Sequence, residues 1–176
     1  MISLKPLSLD DVSPFYEWIN DDMSIKYSLS LFQSLNTKDQ IDHWFHSVVN
    51  DSTSFNRGIF LTDSNRLIGY AGICNISKAN RSGEYFIFIG DRREWGKGIG
   101  SEVTRLILGI GFEKLELHRI MLTVSEPNYA AVKHIKMQAL NSKGECVKPV
   151  LETINFTISY SCQFWKKSGT TQHNSV

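Results

Sequence analysis

Three glycines alternate along residues 95–100, which read WGKGIG and lie between a predicted strand and a predicted helix. Each glycine lowers helix stability by roughly 1 kcal/mol relative to alanine, so glycines at a helix start need a reason. The first amides of a helix lack partners within the helix, and the helix dipole favours anions there. Because glycine has no Cβ, a bulky phosphate can approach the backbone closely. The spacing indicates either a phosphate site built from main-chain N–H groups or a tight connection without a ligand.

Two familiar phosphate-binding motifs fit this segment poorly. A Walker A loop carries Ser or Thr directly after its lysine, whereas Gly98 follows Lys97. A dinucleotide-binding GxGxxG turn would need a glycine where Ser101 stands, and a parallel βαβ unit near the start of the chain. Here three predicted antiparallel strands come first, so the segment favours another phosphate ligand.

Hydrophobic spacing and turn residues predict the element order β-α-α-β-β-β-α-β-α-β-β. After a first strand, a helix over residues 8–21 is capped by Ser8 or Asp10, and a loop covers residues 23–36. A capping box from Thr37 to Gln40 begins the second helix. Later strands are predicted at residues 57–63, 66–77, 83–90, 118–124, 144–152 and 154–166, and later helices at 100–115 and 127–140. We predict one domain over residues 1–166 and a flexible tail over 167–176.

The composition is that of an ordinary globular protein, with 41% hydrophobic residues and a net charge of +1 from 19 basic and 18 acidic side chains. This balance gives no reason to expect nucleic acid or a membrane as partner. Cys74, Cys146 and Cys162 lack CxxC spacing and are interpreted as reduced, buried side chains. His43 and His46 lack a third ligand, so no metal site is predicted. Without a signal pattern or a membrane-length apolar run, we predict a cytoplasmic protein.

Residues 83–132 resemble the core of the GNAT N-acetyltransferase superfamily, in its ribosomal-protein-N-acetyltransferase-like branch. The family's pyrophosphate signature is Gln/Arg-x-x-Gly-x-Gly/Ala, and here Trp95 takes the first position, followed by Gly98 and Gly100. The resemblance extends in element order over residues 1–140. It implies an α/β (α+β) fold with a mixed, strongly twisted sheet of about seven strands, splayed central strands and about four flanking helices.

The resemblance implies acetyl-CoA as cofactor, with its pyrophosphate on the amides of residues 96–100. The pantetheine arm would lie like a partial strand beside residues 87–90, where two central strands splay apart and leave backbone groups unpaired. Asn128 matches the family asparagine that reaches the cofactor. The implied cofactor-binding residues are Phe88, Ile89, Gly90, Trp95, Gly96, Lys97, Gly98, Ile99, Gly100, Ser101 and Asn128.

Acetyl transfer to a primary amine requires a deprotonated amine and a stabilised thioester oxygen. In this family the amine attacks directly in a ternary complex, and a main-chain N–H at Phe88 or Ile89 would stabilise the oxyanion. Glu84 is the best-placed base, acting directly or through water. The alternative is a strand-end glutamate that points to solvent or pairs with Arg81 or Lys78.

The sequence departs from the family at the general acid. Ile135 replaces the usual tyrosine, and Ala139-Leu140 replaces Gly-Phe. Either the thiolate leaves without that acid, or a group such as His134 or Tyr129 serves, or the activity is reduced. The alternative function is therefore an acyl-CoA-binding module with weak or no transferase activity.

Features of the N-terminal third bear on the acceptor. Asp21, Asp22 and Asp39 lie near the two helices that form the acceptor side in the family, where they either attract a cationic amine or cap helices. Tyr27, Phe32 and Trp44 either line an acceptor pocket or fill the core, and the core is favoured. The implied acceptors are protein N-termini, polyamines or amino sugars, and the implied assembly is a monomer or a homodimer.

Overall fold

A computed structural model describes residues 1–26, 30–125, 128, 145–150 and 153–159. Within these residues, the strands form one sheet in the order β1-β2-β3-β4-β5-β7-β6. The strands are β1 Ile2–Lys5, β2 Phe55–Leu61, β3 Leu67–Ser77, β4 Ser82–Ile89, β5 Arg119–Ser125, β6 Glu145–Val150 and β7 Thr153–Ser159. The helices are α1 Ser13–Ile19, α2 Asp22–Ile25, α3 Lys38–Asn50 and α4 Ile99–Glu113. This arrangement is the predicted mixed α+β fold with an open sheet.

Several predictions fall on parts of the chain that the structure does not describe. They concern the helix at 127–140, the tail at 167–176, and the side chains of Tyr27, Tyr129, His134, Ile135, Cys146 and Cys162. The predicted final pair of strands corresponds to β6 and β7, which pair antiparallel.

The two central strands, β4 and β5, run parallel and pair over only a short stretch. Ser82 pairs with Arg119, and the last pair in register joins Glu84 to Met121. Both strands continue past that point, β4 to Ile89 and β5 to Ser125. The strands therefore separate beyond Glu84 and leave a gap in the sheet, as the family resemblance implied.

Two apolar clusters cover the opposite faces of the sheet. On one face, α4 packs against β3, β4 and β5, and the cluster includes Tyr85. On the other, α1, α3 and a short 3-10 helix pack their aromatic side chains against Phe88. Tyr85 is 5% exposed and Phe88 is 6% exposed. This burial of both faces confirms the interpretation of β4 as a covered central strand.

The N-terminal helical region differs from the prediction for residues 8–36. A 3-10 helix over Leu9–Val12 precedes α1, so the predicted single helix is divided. The predicted loop at 23–36 contains α2 and a 3-10 helix, Ser30–Ser34. Elements of four or five residues are too short to produce a hydrophobic period, which explains why the pattern missed them. The capping box is confirmed, since the Gln40 amide donates to Thr37 Oγ1 at 3.3 Å.

Close packing of α4 on the sheet predicts a strong effect of one added methyl group. A Cβ at Gly111 would lie 2.6 Å from Cδ1 of both Ile120 and Ile73. Gly111→Ala and Gly100→Ala both gain the helix propensity of alanine, so we expect Gly111→Ala to have a free energy of unfolding roughly 1–3 kcal/mol below that of Gly100→Ala, measured by urea denaturation. Gly100→Ala in the same helix is the control, because its Cβ would meet only Ile89 Cδ1 at 3.8 Å. Equal stability of the two variants would contradict the packing argument.

Candidate active site

The glycine segment forms an open turn directly after β4. Asp91 starts a 3-10 turn over Arg92–Glu94 by accepting a hydrogen bond from the Arg93 amide at 3.1 Å. Gly96 and Gly98 then adopt φ values of +74° and +78°, a left-handed conformation that favours glycine. A Cβ at either glycine would have no atom within 4 Å. The turn thus presents bare backbone to open space.

The amides of this turn provide a group of free hydrogen-bond donors. Among the residues described, the N–H groups of residues 96–100 donate to no protein acceptor. The neighbouring Trp95 amide donates to the Arg92 carbonyl at 3.1 Å, and the Ser101 amide donates to the Gly98 carbonyl at 3.0 Å. The free stretch therefore begins one residue after Trp95 and ends one residue before Ser101.

Trp95 connects the turn to the end of β4 through its side chain. Its indole Nε1 donates to the Ile89 carbonyl at 2.8 Å, while 42% of the side chain stays exposed. The tryptophan therefore fixes the position of the last β4 residue relative to the glycines. Sequence reasoning placed Trp95 in the signature but gave no such role, because the contact depends on the turn bringing the indole back over the strand.

The backbone of β4 alternates between its two neighbouring strands. The Glu84 carbonyl accepts a weak bond from Cys74 Sγ at 3.5 Å, and the Phe88 carbonyl lies against Gly69, both on β3. Because successive residues of a strand direct their backbone groups to opposite sides, Ile87 and Ile89 face the gap instead. The Phe88 carbonyl therefore faces β3, whereas the predicted backbone contacts of Phe88 and Ile89 with the cofactor stay predictions.

A cluster of charged side chains stabilises the turn through hydrogen bonds and ion pairs. Asp91 is 5% exposed and accepts hydrogen bonds from Arg66 and from Arg93, whose Nε lies 2.9 Å away. Glu94 is 7% exposed and accepts from Arg66 Nη2 at 2.9 Å and from Lys97 Nζ at 3.0 Å. Arg66 immediately precedes β3, so it ties the turn to a distant part of the chain.

The cluster has a pH signature. Lys97 and Arg66 hold the pKa of the Glu94 carboxyl below its ordinary value. A carboxyl with a lowered pKa stabilises the folded protein above its unfolded-state pKa, and the contribution is lost as pH falls through the folded-state pKa. The support of the turn by Glu94 is therefore present at neutral pH and weakens in acid.

Arg66→Met tests the support of the turn by removing the guanidinium and keeping an apolar stem. We expect the free energy of unfolding to fall by about 1–3 kcal/mol, because the buried Asp91 carboxylate loses a donor. Arg92→Met is the control, since Arg92 makes an exposed pair with Asp21 at 3.1 Å, and exposed pairs contribute little. Thermal unfolding of both variants checks the prediction, and equal losses would contradict it.

Glu84 occupies the point at which β4 and β5 separate. It is half-buried, and by alternation its side chain lies on the sheet face of Phe86 and Phe88, which α1 and α3 cover. Asn75 Nδ2 donates to Glu84 Oε2 at 3.0 Å. The pairing with Arg81 that we considered is not formed, since Arg81 Nε donates to the Glu116 carbonyl at 2.8 Å. The carboxylate is thus held at the closed end of the gap.

The other N-terminal candidates serve mainly structural roles. Asp21 caps α2 by accepting from the Met23 amide at 3.1 Å, and Arg92, followed by Ser24, lowers the pKa of the Asp21 carboxyl. Phe32 is 1% exposed and packs edge-on against the partly buried Trp44, so both contribute to the core, and Phe32 also lines the cavity beside α1 and α2. Asp22 lines a cavity of about 320 Å³ with Ile19, Asn20, Ile25, Lys26, Phe32, Gln33, Leu35 and Asn36.

Two kinds of site are absent from the described residues. No group of three or more His, Cys, Asp or Glu side chains there could hold a metal ion, and His43 and His46 are exposed on α3. No described helix is long and apolar enough to span a bilayer. Asn128, the remaining predicted cofactor residue, is half-buried beyond the end of β5.

The sequence and the fold are similar to those of known proteins. Residues 2–137 match the family described as acetyltransferase (GNAT) domain. The chain is 22% identical over 144 residues to an uncharacterized N-acetyltransferase of Bacillus licheniformis, covering 81% of this chain and 80% of that protein. It is 29% identical over 93 residues to a probable N-acetyltransferase of Bacillus subtilis (strain 168), covering 53% and 51%. Its fold is similar to that of the spermidine N-acetyltransferase from Vibrio cholerae in complex with CoA and spermine, with a TM-score of 0.77, 18% identity, and coverage of 90% of this chain and 95% of that chain.

Proposed function

The chain belongs to the GNAT acetyltransferase family, and from that premise we propose that it transfers the acetyl group of acetyl-CoA to a primary amine. One observation carries the proposal: β4 and β5 stop pairing after Glu84, and the turn that follows β4 presents five free amides. A gap between strands and an anion site at its open end fit a long cofactor with a diphosphate and an extended arm. The ribosomal-protein-like branch and the cytoplasmic location stay predictions.

The residues around the gap fit acetyl-CoA in charge and shape. The amides of residues 96–100 would bind the pyrophosphate, because each is unpaired and the glycines leave the approach open. The backbone of Ile87 and the N–H of Ile89 would bond the polar groups of the arm, as an added strand does, because the Ile89 carbonyl already accepts from Trp95 Nε1. The other proposed cofactor residues are Lys97, Gly90, Ser101 and Asn128. Phe88 would contribute by packing rather than through its carbonyl.

The proposed reaction assigns two tasks to the protein. Glu84, directly or through one water, takes a proton from the acceptor amine, whose nitrogen then forms the new C–N bond. A gap-facing N–H, from Ile87 or Ile89, stabilises the negative charge on the carbonyl oxygen until the C–S bond breaks and the CoA thiolate departs. Acetyl-CoA supplies the activated carbonyl, and the strand gap aligns it with the amine.

The proposed acceptor is a primary amine, carried either by a small molecule or by a peptide. Asp22 lies in the cavity beside α1 and α2 and offers a carboxylate to a cationic molecule. A structural neighbour was solved with spermine, so polyamines come first in a test panel, followed by peptides with free N-termini and by amino sugars. A series of aminoalkyl compounds of increasing chain length would then define the distance from the reacting nitrogen to the Asp22 carboxylate.

The test incubates the protein with acetyl-CoA and each amine while a thiol reagent follows released CoA. We expect amine-dependent release well above acetyl-CoA hydrolysis for at least one class. Thermal shift with acetyl-CoA alone is measured in parallel, because a ligand stabilises the folded state as its concentration exceeds its Kd. Stabilisation without release across the whole panel would favour the binding module, which the missing tyrosine at Ile135 motivates.

A further inference from the structure

We propose that Asn75 is a positioning residue, holding the Glu84 carboxylate in the orientation that receives the acceptor's proton. This inference rests on the proposed function, in which Glu84 is the base. Its geometric basis is the hydrogen bond from Asn75 Nδ2 to Glu84 Oε2 at 3.0 Å, between two residues of adjacent strands. Because Oε2 accepts this bond, Oε1 is the oxygen that we assign to the acceptor's proton.

An irregularity in β3 brings Asn75 to this place. The register between β3 and β4 is regular as far as the pair of Cys74 with Glu84, and it shifts before the pair of Ser77 with Ser82. Asn75 lies in this bulge with φ +51°, a left-handed conformation that asparagine tolerates better than most residues. Side chains of a regular strand alternate between faces, so the residue after Cys74 would ordinarily point away from Glu84. The bulge redirects the amide to the glutamate.

The groups around Glu84 make a fixed hydrogen-bond donor to its carboxylate important. Burial, followed by the charges of Glu84 and Asp51, raises the pKa of the Cys74 thiol, so this thiol stays neutral and adds no negative charge beside the carboxylate. On β5, Met121 is the neighbour in register and is 40% exposed, and Arg119 pairs with Ser82 two residues further from the gap. Asp51 adds a second negative charge from the end of α3. Asn75 is therefore a neutral donor to the carboxylate, and it does not compete for the proton.

The hydrogen bond has a consequence for the rate of the reaction. Proton transfer needs a carboxylate oxygen at hydrogen-bond distance from the amine, and a fixed donor limits the orientations that the carboxylate adopts. Loss of the donor leaves the carboxylate free to rotate, so fewer bound complexes are ready to react. We expect kcat to fall by roughly 10-fold while the KM for the acceptor stays unchanged.

Asn75→Gly is the main variant, because glycine accepts the left-handed backbone and removes only the amide. We expect kcat to fall by roughly 10-fold, and the KM for the acceptor and the Kd for acetyl-CoA to stay unchanged. Asn75→Asp keeps the shape but replaces the donor with a second carboxylate that repels Glu84, so it should lower kcat further. Asn65→Gly is the matched control: Asn65 has φ +52° in the turn before β3, bonds Lys5, and lies at the opposite end of β3 from Asn75. It should leave kcat unchanged.

The result with Glu84→Gln separates the inference from the proposed function. If Glu84→Gln lowers kcat and Asn75→Gly does not, the role of Asn75 is overturned while the base remains. If Glu84→Gln leaves kcat unchanged, both proposals are overturned. In the double variant, Asn75→Gly should add no loss beyond that of Glu84→Gln, because the two residues act through one carboxylate. Additive losses would overturn the inference.

Discussion

We expect Gly98→Val to weaken acetyl-CoA binding by at least about 100-fold. Gly98 is the residue before α4, has φ +78°, and would direct a Cβ into the open space where the pyrophosphate is proposed to lie. A branched side chain there blocks the approach and also favours a different backbone conformation, which would turn the neighbouring amides away. Losing two charge-assisted hydrogen bonds, each contributing about 1.5 kcal/mol, corresponds to roughly 100-fold in Kd. Isothermal titration with acetyl-CoA measures it.

The control for this variant must carry the same backbone strain elsewhere. A branched residue at positive φ costs about 1–3 kcal/mol of folding stability in any setting. Glu116→Val places valine at φ +53° in the loop after α4, at the opposite end of that helix from the glycine turn, so it should lose comparable stability and keep its affinity for acetyl-CoA. Urea denaturation compares the two. If Gly98→Val bound acetyl-CoA as the unaltered protein does, the turn would not be the pyrophosphate site.

Local sequence was sufficient to predict the glycine turn and the strand before it. Alternating glycines, an apolar strand and a helical period each lie within a few residues of one another, so neighbouring positions define them. The resemblance added the gap between β4 and β5, which the strand pairing shows. These parts of the site follow from backbone conformation, and backbone conformation is what short-range patterns encode.

The support of the site could not be predicted in the same way. Arg66 reaches Asp91 and Glu94 only because β3 and β4 pair antiparallel, which brings their ends together. The segment GDRRE predicted a charged turn, but it did not predict which basic side chain would pair with its carboxylates. A contact between residues that are distant in sequence needs the topology, and one sequence contains no direct record of it.

Asn75 was missed for a related reason. The segment GICNIS reads as a continuous strand, and nothing in its pattern marks the shift in register after Cys74. An asparagine inside a strand is a weak signal of a bulge, since it is depleted in strands and tolerates positive φ. Glu84 itself was identified, but its partner was sought among nearby cations. The actual neighbour is a neutral amide on the adjacent strand.

Glu84→Gln should lower kcat by about 100-fold near neutral pH, the smaller end of what a general base contributes. Glutamine preserves the size of the side chain, so the acetyl-CoA Kd should not change. The loss should shrink as pH approaches about 10, because a simple alkyl amine is then already deprotonated without help. Glu113→Gln, at the exposed end of α4, is the matched control and should retain full activity.

The shape of the pH dependence distinguishes a base from a carboxylate that merely attracts the acceptor. Loss of electrostatic attraction would raise KM, would be screened by added salt, and would leave the pH profile of kcat intact. Loss of a base lowers kcat, is insensitive to salt, and removes the acidic limb. Measuring kcat and KM from pH 5 to 10 at two salt concentrations therefore decides between the two roles. A salt-sensitive rise in KM with unaltered kcat would assign Glu84 to acceptor binding and leave proton removal to solvent. Asp51, the other carboxylate close to Cys74, would not replace Glu84 as the base, because it already accepts a hydrogen bond from the Thr53 amide of its own loop at 2.7 Å.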